Sequence, residues 1–384
     1  MIGVIHVITR LDLGGAQENT LDSAARLDPS RFLTALVYGP GGLLDGDAEK
    51  LSHVHREPLR VLVREASPSK DPAALIGIAA ALRRSIDALR SKGARSIVVH
   101  THGSKAGILG RFAAKLAQVD RVVHTIHGFG FHVGQSPAVF AAYVALERAA
   151  ARVTDTFVSV SRACLAEAMA RGIVGAGHQH RVIRSGFELA PFLEAPRRRA
   201  EARAALGLHA DQEALVSVAN LKPQKDPMTL VEAFSLVARR RPNAVLLFAG
   251  DGELRGAVEA RLAELRLADR FRLLGWRRDV PELLAAADVA VLSSIFEGLP
   301  RSAVQALAAR VPVVATRVDG TSEVVREGRN GYLVEPRDPS ALARAIGNAL
   351  DLRPVDPSDR ALVREFDVSV MVRSLEALYV EVAT

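Results

Sequence analysis

Apolar residues fall along this chain in two alternating patterns. Continuous short runs occur at Ile2 to Ile8, Ser96 to His100, Arg121 to His127, Thr156 to Ser161 and Arg181 to Gly186, and again at Ala214 to Ala219, Val245 to Ala249, Phe271 to Leu274, Val289 to Leu292 and Val313 to Thr316. Runs of this kind predict strands buried on both faces. Between them the apolar positions recur with helical spacing, at Asn19 to Leu27, Ala106 to Leu116, Ala163 to Met169, Met228 to Arg239, Ala303 to Ala309 and Val368 to Val380. Strictly alternating strands and helices predict parallel sheets covered by helices on both faces. At 384 residues the chain exceeds one ordinary core and divides in two. The polar, Arg-rich segment Glu194 to Arg203 reads as a linker that becomes a helix, which sets the boundary near Glu188.

Ligands of such sheets bind beyond the carboxyl ends of the strands, so the strand exits are where chemistry is sought. Glycines stand at several of them: Gly14-Gly15 after the first strand, Gly128 after His127, Gly250, Gly275 beside Trp276, and Gly298 within Glu297-Gly298-Leu299-Pro300. The last of these joins a buried strand to a helix, with Pro300 suited to a first helical position. Free amides and a partial positive charge at such a turn make an anion cradle. Glu297 stands at its mouth and Gln305 follows eight residues on, about two helical turns inward. Ser104 reads as the N-cap of the helix Ala106 to Leu116. A metal reading of Asp45-Gly46-Asp47 lacks a buried strand running into it, and the five histidines between 100 and 132 match no zincin or finger spacing. No metal is expected.

The stretch from Glu297 to Gln305 resembles the E-x7-E signature of family 4, the retaining nucleotide-sugar glycosyltransferases of the group 1 type, with Gln305 at the second Glu. Asn220-Leu221-Lys222-Pro223-Gln224-Lys225 resembles the same family's G-R-L-x-x-x-K-G segment, with Lys225 at the Lys and Asn220 in place of the Arg. Val318-Asp319-Gly320-Thr321-Ser322-Glu323 is similar to its G-G-x-x-E turn, with Asp319 at the first Gly, and Ser185-Gly186-Phe187-Glu188 stands where N-G-x-D is usual. The resemblance covers almost the whole chain and is strongest from Ala219 to Glu323.

It implies an α/β protein of the GT-B fold, with two doubly wound, Rossmann-like domains facing a central cleft. Residues 1–187 would be the acceptor side, 188–362 the nucleotide-sugar-binding domain, and 363–384 a terminal helix crossing back to the first domain. It further implies that Lys225 neutralises the leaving diphosphate, that Glu297 lies near the donor sugar, and that His127 contacts that sugar or its phosphate. Gln305 would hold the ribose hydroxyls with an amide oxygen instead of a charge. Gly14, Gly15, Asn220, Gly250, Gly275, Trp276, Gly298, Leu299 and Pro300 would line the donor site, with Trp276 at the base. The implied reaction is sugar transfer from a nucleotide sugar to a glycan or a polyprenyl-type lipid-linked acceptor, in cell-surface polysaccharide or glycolipid synthesis, with no metal or other cofactor. Two alternatives share the fold: a nucleotide-sugar 2-epimerase, and a nucleotide-sugar binder that has lost catalysis, as Asn220 and Gln305 together suggest.

Composition adds location and charge. With 49% hydrophobic and 24% charged residues, one cysteine (Cys164), no run approaching 18 apolar residues and an opening that reads as a strand, the sequence suits a cytoplasmic globular protein. Residues 1–186 carry 5 Lys and 18 Arg against 15 acidic residues, net +8, whereas the remainder carries 27 basic and 28 acidic. A basic half attracts anionic surfaces. Lys105, Arg111 and Lys115 on the helix Ala106 to Leu116 are the candidate contacts for an anionic membrane at the inner face of the cell, and ten of eleven histidines before residue 187 predict stronger binding in mild acid. Nucleic acid is not expected, because the basic half lacks interleaved aromatics and any known nucleic-acid module.

Overall fold

Every predicted apolar run becomes a strand, and each strand lies parallel to its neighbours, as the unbroken apolar runs require. The computed structural model describes residues 1–65, 67, 69–132, 134–352 and 360–384, and these divide into two units, Met1–Phe187 with Asp367–Thr384, and Glu188–Phe366. In the first unit the strands are β1 (Ile2–Arg10), β2 (Phe32–Gly39), β3 (His55–Pro58), β4 (Ser96–His102), β5 (Arg121–Ile126), β6 (Thr156–Ser159) and β7 (Gln179–Val182), in the order β3-β2-β1-β4-β5-β6-β7. Alternate residues feed opposite faces. Ile5, Val7 and Val99 pack against the helix Asp71–Ser91, while Val4, Val98, Val123 and Val158 face the other way.

Helix α1 (Gly15–Arg26) begins four residues before its predicted start, straight from the first glycine loop. Helix α2 (Ser104–Leu116) is capped by Gly103 at φ 70°, so Ser104 is its first residue and not its N-cap. Two glycines bring α2 down onto the sheet: a Cβ on Gly107 would meet the His124 ring at 2.5 Å, and one on Gly110 would meet Thr101 at 2.9 Å. Helix α3 (Pro137–Ala151), capped by the Ser136 side chain, packs beside α2.

In the second unit β8 (Glu213–Val218), β9 (Ala244–Ala249), β10 (Phe271–Leu273), β11 (Val289–Leu292), β12 (Val313–Thr316) and β13 (Gly331–Val334) take the order β10-β9-β8-β11-β12-β13. Leu230, Val231 and Phe234 of α4 (Pro227–Arg240) close its core on Leu246, Phe248, Phe271, Val291 and Val314. Helix α5 (Arg301–Ala308) follows β11, and the short helix Arg360–Arg364 packs on it. That contact keeps residues up to Phe366 in the second unit, so the return to the first begins at Asp367 and not at 363.

Helix α6 (Val368–Ala383) then covers the open face of the first sheet, burying Val368, Met371, Val372, Leu375, Leu378, Tyr379 and Val382 against Val4, Val98, Val123 and Val158. Strand order reverses at β1/β4 in one unit and at β8/β11 in the other, the positions at which ligands bind in open α/β sheets. No helix among the described residues is long and apolar enough to cross a membrane.

Candidate functional site

At the switch point of the second unit, two residues 72 apart in sequence meet. Lys225, in the loop after β8, sets its Nζ on Oε1 of Glu297, which lies in the turn after β11. The pair is largely enclosed, with side-chain exposures of 22% for Lys225 and 8% for Glu297. Ser294 donates to the same Oε1 at 2.6 Å, and the Glu297 backbone N–H donates to Oδ2 of Asp319 at 2.6 Å. Gln224 fixes the loops to each other, its Nε2 donating to the Phe296 carbonyl at 3.0 Å and its own carbonyl accepting from Ile295 at 2.9 Å. Ser293 donates to the carbonyls of Lys225 and Asp226. The exits of β8, β11 and β12 are thereby tied into one rigid site.

Asp319, which in sequence only departs from the G-G-x-x-E pattern, has a structural part here. It sits at φ 38°, in the left-handed region that favours the glycine usual there, and its carboxylate holds the backbone of Glu297. Pro300, expected inside the helix, is instead the residue that caps α5. Gly298, Leu299 and Pro300 are buried, and Gln305 lies partly exposed on the second turn of α5.

The other expected donor residues of this unit gather at the adjoining exits. Asn220 is half-buried after β8. Gly250, at φ 145°, bonds its N–H to the Gly275 carbonyl at 2.7 Å, and a Cβ there would fall 1.8 Å from the Ala219 carbonyl. Close approach of strand exits therefore explains that glycine by itself. Gly275 lies at φ 69°, and the Trp276 ring beyond it is 41% exposed.

In the first unit Gly14 caps α1 and Gly15 opens it, at the exit of β1. His127 lies half-buried past the end of β5, and its Nε2 is 3.1 Å from Nδ1 of His102. His102 Nε2 is in turn 3.0 Å from Nδ1 of His6, whose Nε2 has no hydrogen-bond partner. Beside this row, His100 bonds Tyr379 of α6 and Thr125, each at 2.6 Å, and His124 bonds Thr101 at 2.9 Å. His6, His100 and His102 offer ring nitrogens within 4.8 Å of one another, a spacing an ion could use, yet all but one of their nitrogens are spent on these internal bonds.

Burial holds the His6 imidazole down to about 3 and those of His100, His102 and His124 well below the ordinary value; neighbouring imidazoles push His100 and His102 the same way, and Arg111 does so for His124. The expectation that histidines add charge in mild acid fails for these four. Asn19, legible in sequence only as the start of a helix, donates to Ser185 Oγ and to Met371 of α6, each at 2.9 Å.

The expected membrane contacts on α2 are also corrected. Arg111 is wholly buried and paired with Glu147 of α3, and Lys105 pairs with Asp71 at 2.6 Å with 14% of its side chain exposed. Among these three only Lys115 is exposed. Arg111 is held inward by its pair with Glu147 and by the Gly107 carbonyl, which accepts from its Nε at 2.8 Å.

Comparison with known proteins gives the family. Residues 198–364 match the family described as "Glycosyl transferases group 1", and residues 14–186 match the "Glycosyl transferase 4-like domain". The two matches adjoin and span most of the chain, which belongs to the group 1 glycosyltransferases of family 4 and is a transferase of the GT-B fold.

Among its relatives is the Escherichia coli "UDP-Gal:alpha-D-GlcNAc-diphosphoundecaprenol alpha-1,3-galactosyltransferase", 29% identical over 99% of this chain and 97% of that one. The "Putative glycosyltransferase EpsD" of Bacillus subtilis is 30% identical over 65% of this chain and 66% of its own. Similar solved structures include sucrose-phosphate synthase of Thermosynechococcus elongatus, with a TM-score of 0.81 and 23% identity over 99% of both chains. Anabaena HepE, solved in complex with UDP-glucose, gives 0.78 and 21% over 99% of both.

Proposed function

We propose that this chain is a retaining glycosyltransferase that takes a sugar from a nucleotide diphosphate sugar and gives it to a lipid-linked or glycan acceptor, in the assembly of a cell-surface polysaccharide or glycolipid. The observation that carries the reading is the enclosed Lys225–Glu297 pair where the exits of β8 and β11 meet. A nucleotide sugar presents a diphosphate that calls for a cation and hydroxyls that call for a carboxylate. An ammonium has three N–H groups, and the Glu297 contact uses one.

Transfer on one face of the sugar needs no dedicated base: the departing phosphate oxygen accepts the acceptor's proton as the new glycosidic bond forms. The work left to the protein is placement and stabilisation of charge on the diphosphate. In this reading Lys225 and the amides around Gly298, Leu299 and Pro300 meet the diphosphate, Glu297 the sugar, Gln305 the ribose, and Gly275 with Trp276 the base. Asn220 and Gly250 border them. Gly14, Gly15 and His127 are the candidate ligand residues at the strand exits of the first unit, and no metal is called for. The E. coli relative's name supports a polyprenyl diphosphate acceptor, and the HepE complexes support a uridine nucleotide.

The first test is a thermal-shift panel of UDP, GDP, ADP and dTDP sugars. One nucleotide class should raise the melting temperature, since a ligand at 100 times its Kd adds about 2.7 kcal/mol to the folded state. Lys225→Met and Glu297→Gln should then cut transfer to a short-chain lipid diphosphate sugar by roughly 100-fold, about 2.7 kcal/mol of transition-state stabilisation. Folded variants with undiminished transfer would remove the pair from the mechanism.

A further inference from the structure

Helix α3 has a buried side and an exposed side of unusual composition. Val144, Glu147, Ala150 and Ala151 face inward, with Phe140 and Tyr143 partly covered. The exposed residues from 137 to 146 are Pro137, Ala138, Val139, Ala141, Ala142, Ala145 and Leu146, without one polar side chain. Positions 138, 141, 142 and 145 form one stripe at helical spacing, and 139, 142 and 146 broaden it. Val139 and Leu146 leave 45% and 48% of their surface in solvent. An amphipathic helix at a protein surface would carry charge at these positions.

Charge appears only at the end of the stripe. Arg148 flanks it and Arg152 continues it, both exposed, whereas Arg171 alongside, its guanidinium 4.9 Å from the centre of the Phe140 ring, is already paired with Glu167 at 2.8 Å. The one acid of α3, Glu147, points inward and is neutralised by the buried Arg111. That ion pair locks the helix against α2 and keeps its apolar side outward.

We propose that α3 is an interfacial helix, which seats this apolar side among the headgroups and upper acyl chains of a bilayer containing anionic lipid, with Arg148 and Arg152 on lipid phosphates. The apolar stripe accounts for the insertion, and the exposed Arg148 and Arg152, with no exposed acid on α3 beside them, account for the sign of the lipid charge. A second copy of the chain fits less well, because no exposed acid on α3 would meet the partner's Arg148 and Arg152. The proposal rests on the lipid-linked acceptor proposed above, and it moves the membrane contact from α2 to α3.

The test is co-sedimentation of the full chain with phosphatidylcholine vesicles with and without phosphatidylglycerol. Binding should require phosphatidylglycerol, fall about tenfold or more in Val139→Asp/Leu146→Asp, and fall about threefold in Arg152→Gln, with melting temperatures unchanged because all three side chains are exposed. Raising salt should weaken binding, since it screens the attraction of Arg148 and Arg152 to the lipid phosphates. Binding unaltered by the double substitution, or absent throughout, overturns the proposal. So does a dimer that the double substitution dissociates without any vesicle binding. Transfer to a short-chain, water-soluble acceptor separates the two readings: if it proceeds in the double variant as in the parent while vesicle binding behaves otherwise than stated, the surface assignment fails and the enzymatic reading stands.

Discussion

Single residues in this protein are set by partners far away in sequence, and two of them make measurable predictions. The buried imidazoles of His6, His100, His102 and His124 are held neutral in the folded chain, whereas in the unfolded chain each takes up a proton near pH 6.5. The unfolded state therefore binds more protons below that pH, and stability is lost as pH falls from about 6.5 toward the folded values. His6 alone, held at about 3, should contribute a loss of about 2–3 kcal/mol by pH 4.5. Urea midpoints at pH 7 and pH 4.5 would show it, and His6→Gln should shrink the difference; equal midpoints would mean these rings are not held neutral. Asp319 combines a left-handed backbone with the bond to the Glu297 N–H. Asp319→Ala should destabilise by about 1–3 kcal/mol through the lost bond, and Asp319→Gly by about 1 kcal/mol less, because glycine removes the backbone strain that alanine keeps. Both should slow transfer alike, since each releases the backbone of Glu297. Thermal melts of the two variants side by side separate the terms. The glycine-to-aspartate departure was visible in the sequence; the hydrogen bond that exploits it was not, because it spans 22 residues and two strand exits.

The elements themselves were the most legible part of the sequence. Parallel strands buried on both faces write themselves as unbroken apolar runs, so all the predicted strands of the second unit appear within a residue or two of their expected places. Lys225 and Glu297 were also legible as motif residues, though nothing local said that they touch. Helix α2 misled because its inner face is made of glycine and alanine, which carry little apolar signal, while Arg111 is inside. Its partner Glu147 lies 36 residues on, beyond the reach of any periodicity argument. This buried pair predicts an asymmetric response to mutation. Arg111→Met strands the Glu147 carboxylate in the interior and should cost about 3–5 kcal/mol, whereas Arg111→Met/Glu147→Leu removes both charges and should recover most of the loss. A double-mutant cycle by chemical denaturation reads the difference directly. If the double variant were no more stable than Arg111→Met, the pair would be contributing through shape and not through charge.

For the whole molecule, the path of the chain distributes both charge and stability. The sequence halves carry net +8 and −1, but α6 brings Asp367, Glu376 and Glu381 back to the first unit against one Arg, leaving it 24 basic and 18 acidic residues. Glu381 meets Arg181 at 2.8 Å, and Glu376 accepts from the Asp28 N–H. The return also makes the two units unequal in continuity. The second is the unbroken stretch Glu188–Phe366 and encloses its own core around Leu215, Phe234, Phe248 and Phe271. The first is completed only by α6, whose seven buried side chains cover one face of its sheet, whose Tyr379 closes on His100, and whose Met371 accepts from Asn19. At about 1.5–3 kcal/mol for each large apolar side chain, that coverage equals or exceeds the 5–15 kcal/mol by which an entire domain is usually stable. A fragment of residues 188–366 should therefore fold alone with a single cooperative melt. Residues 1–187 alone should lack a cooperative melt and bind hydrophobic dye through the uncovered sheet, and a peptide of residues 367–384 added in trans should restore the transition in a concentration-dependent manner. Circular dichroism melts of the two fragments, with and without the peptide, decide the matter: a 1–187 fragment as stable alone as with its peptide would show that the first sheet does not depend on the returning helix.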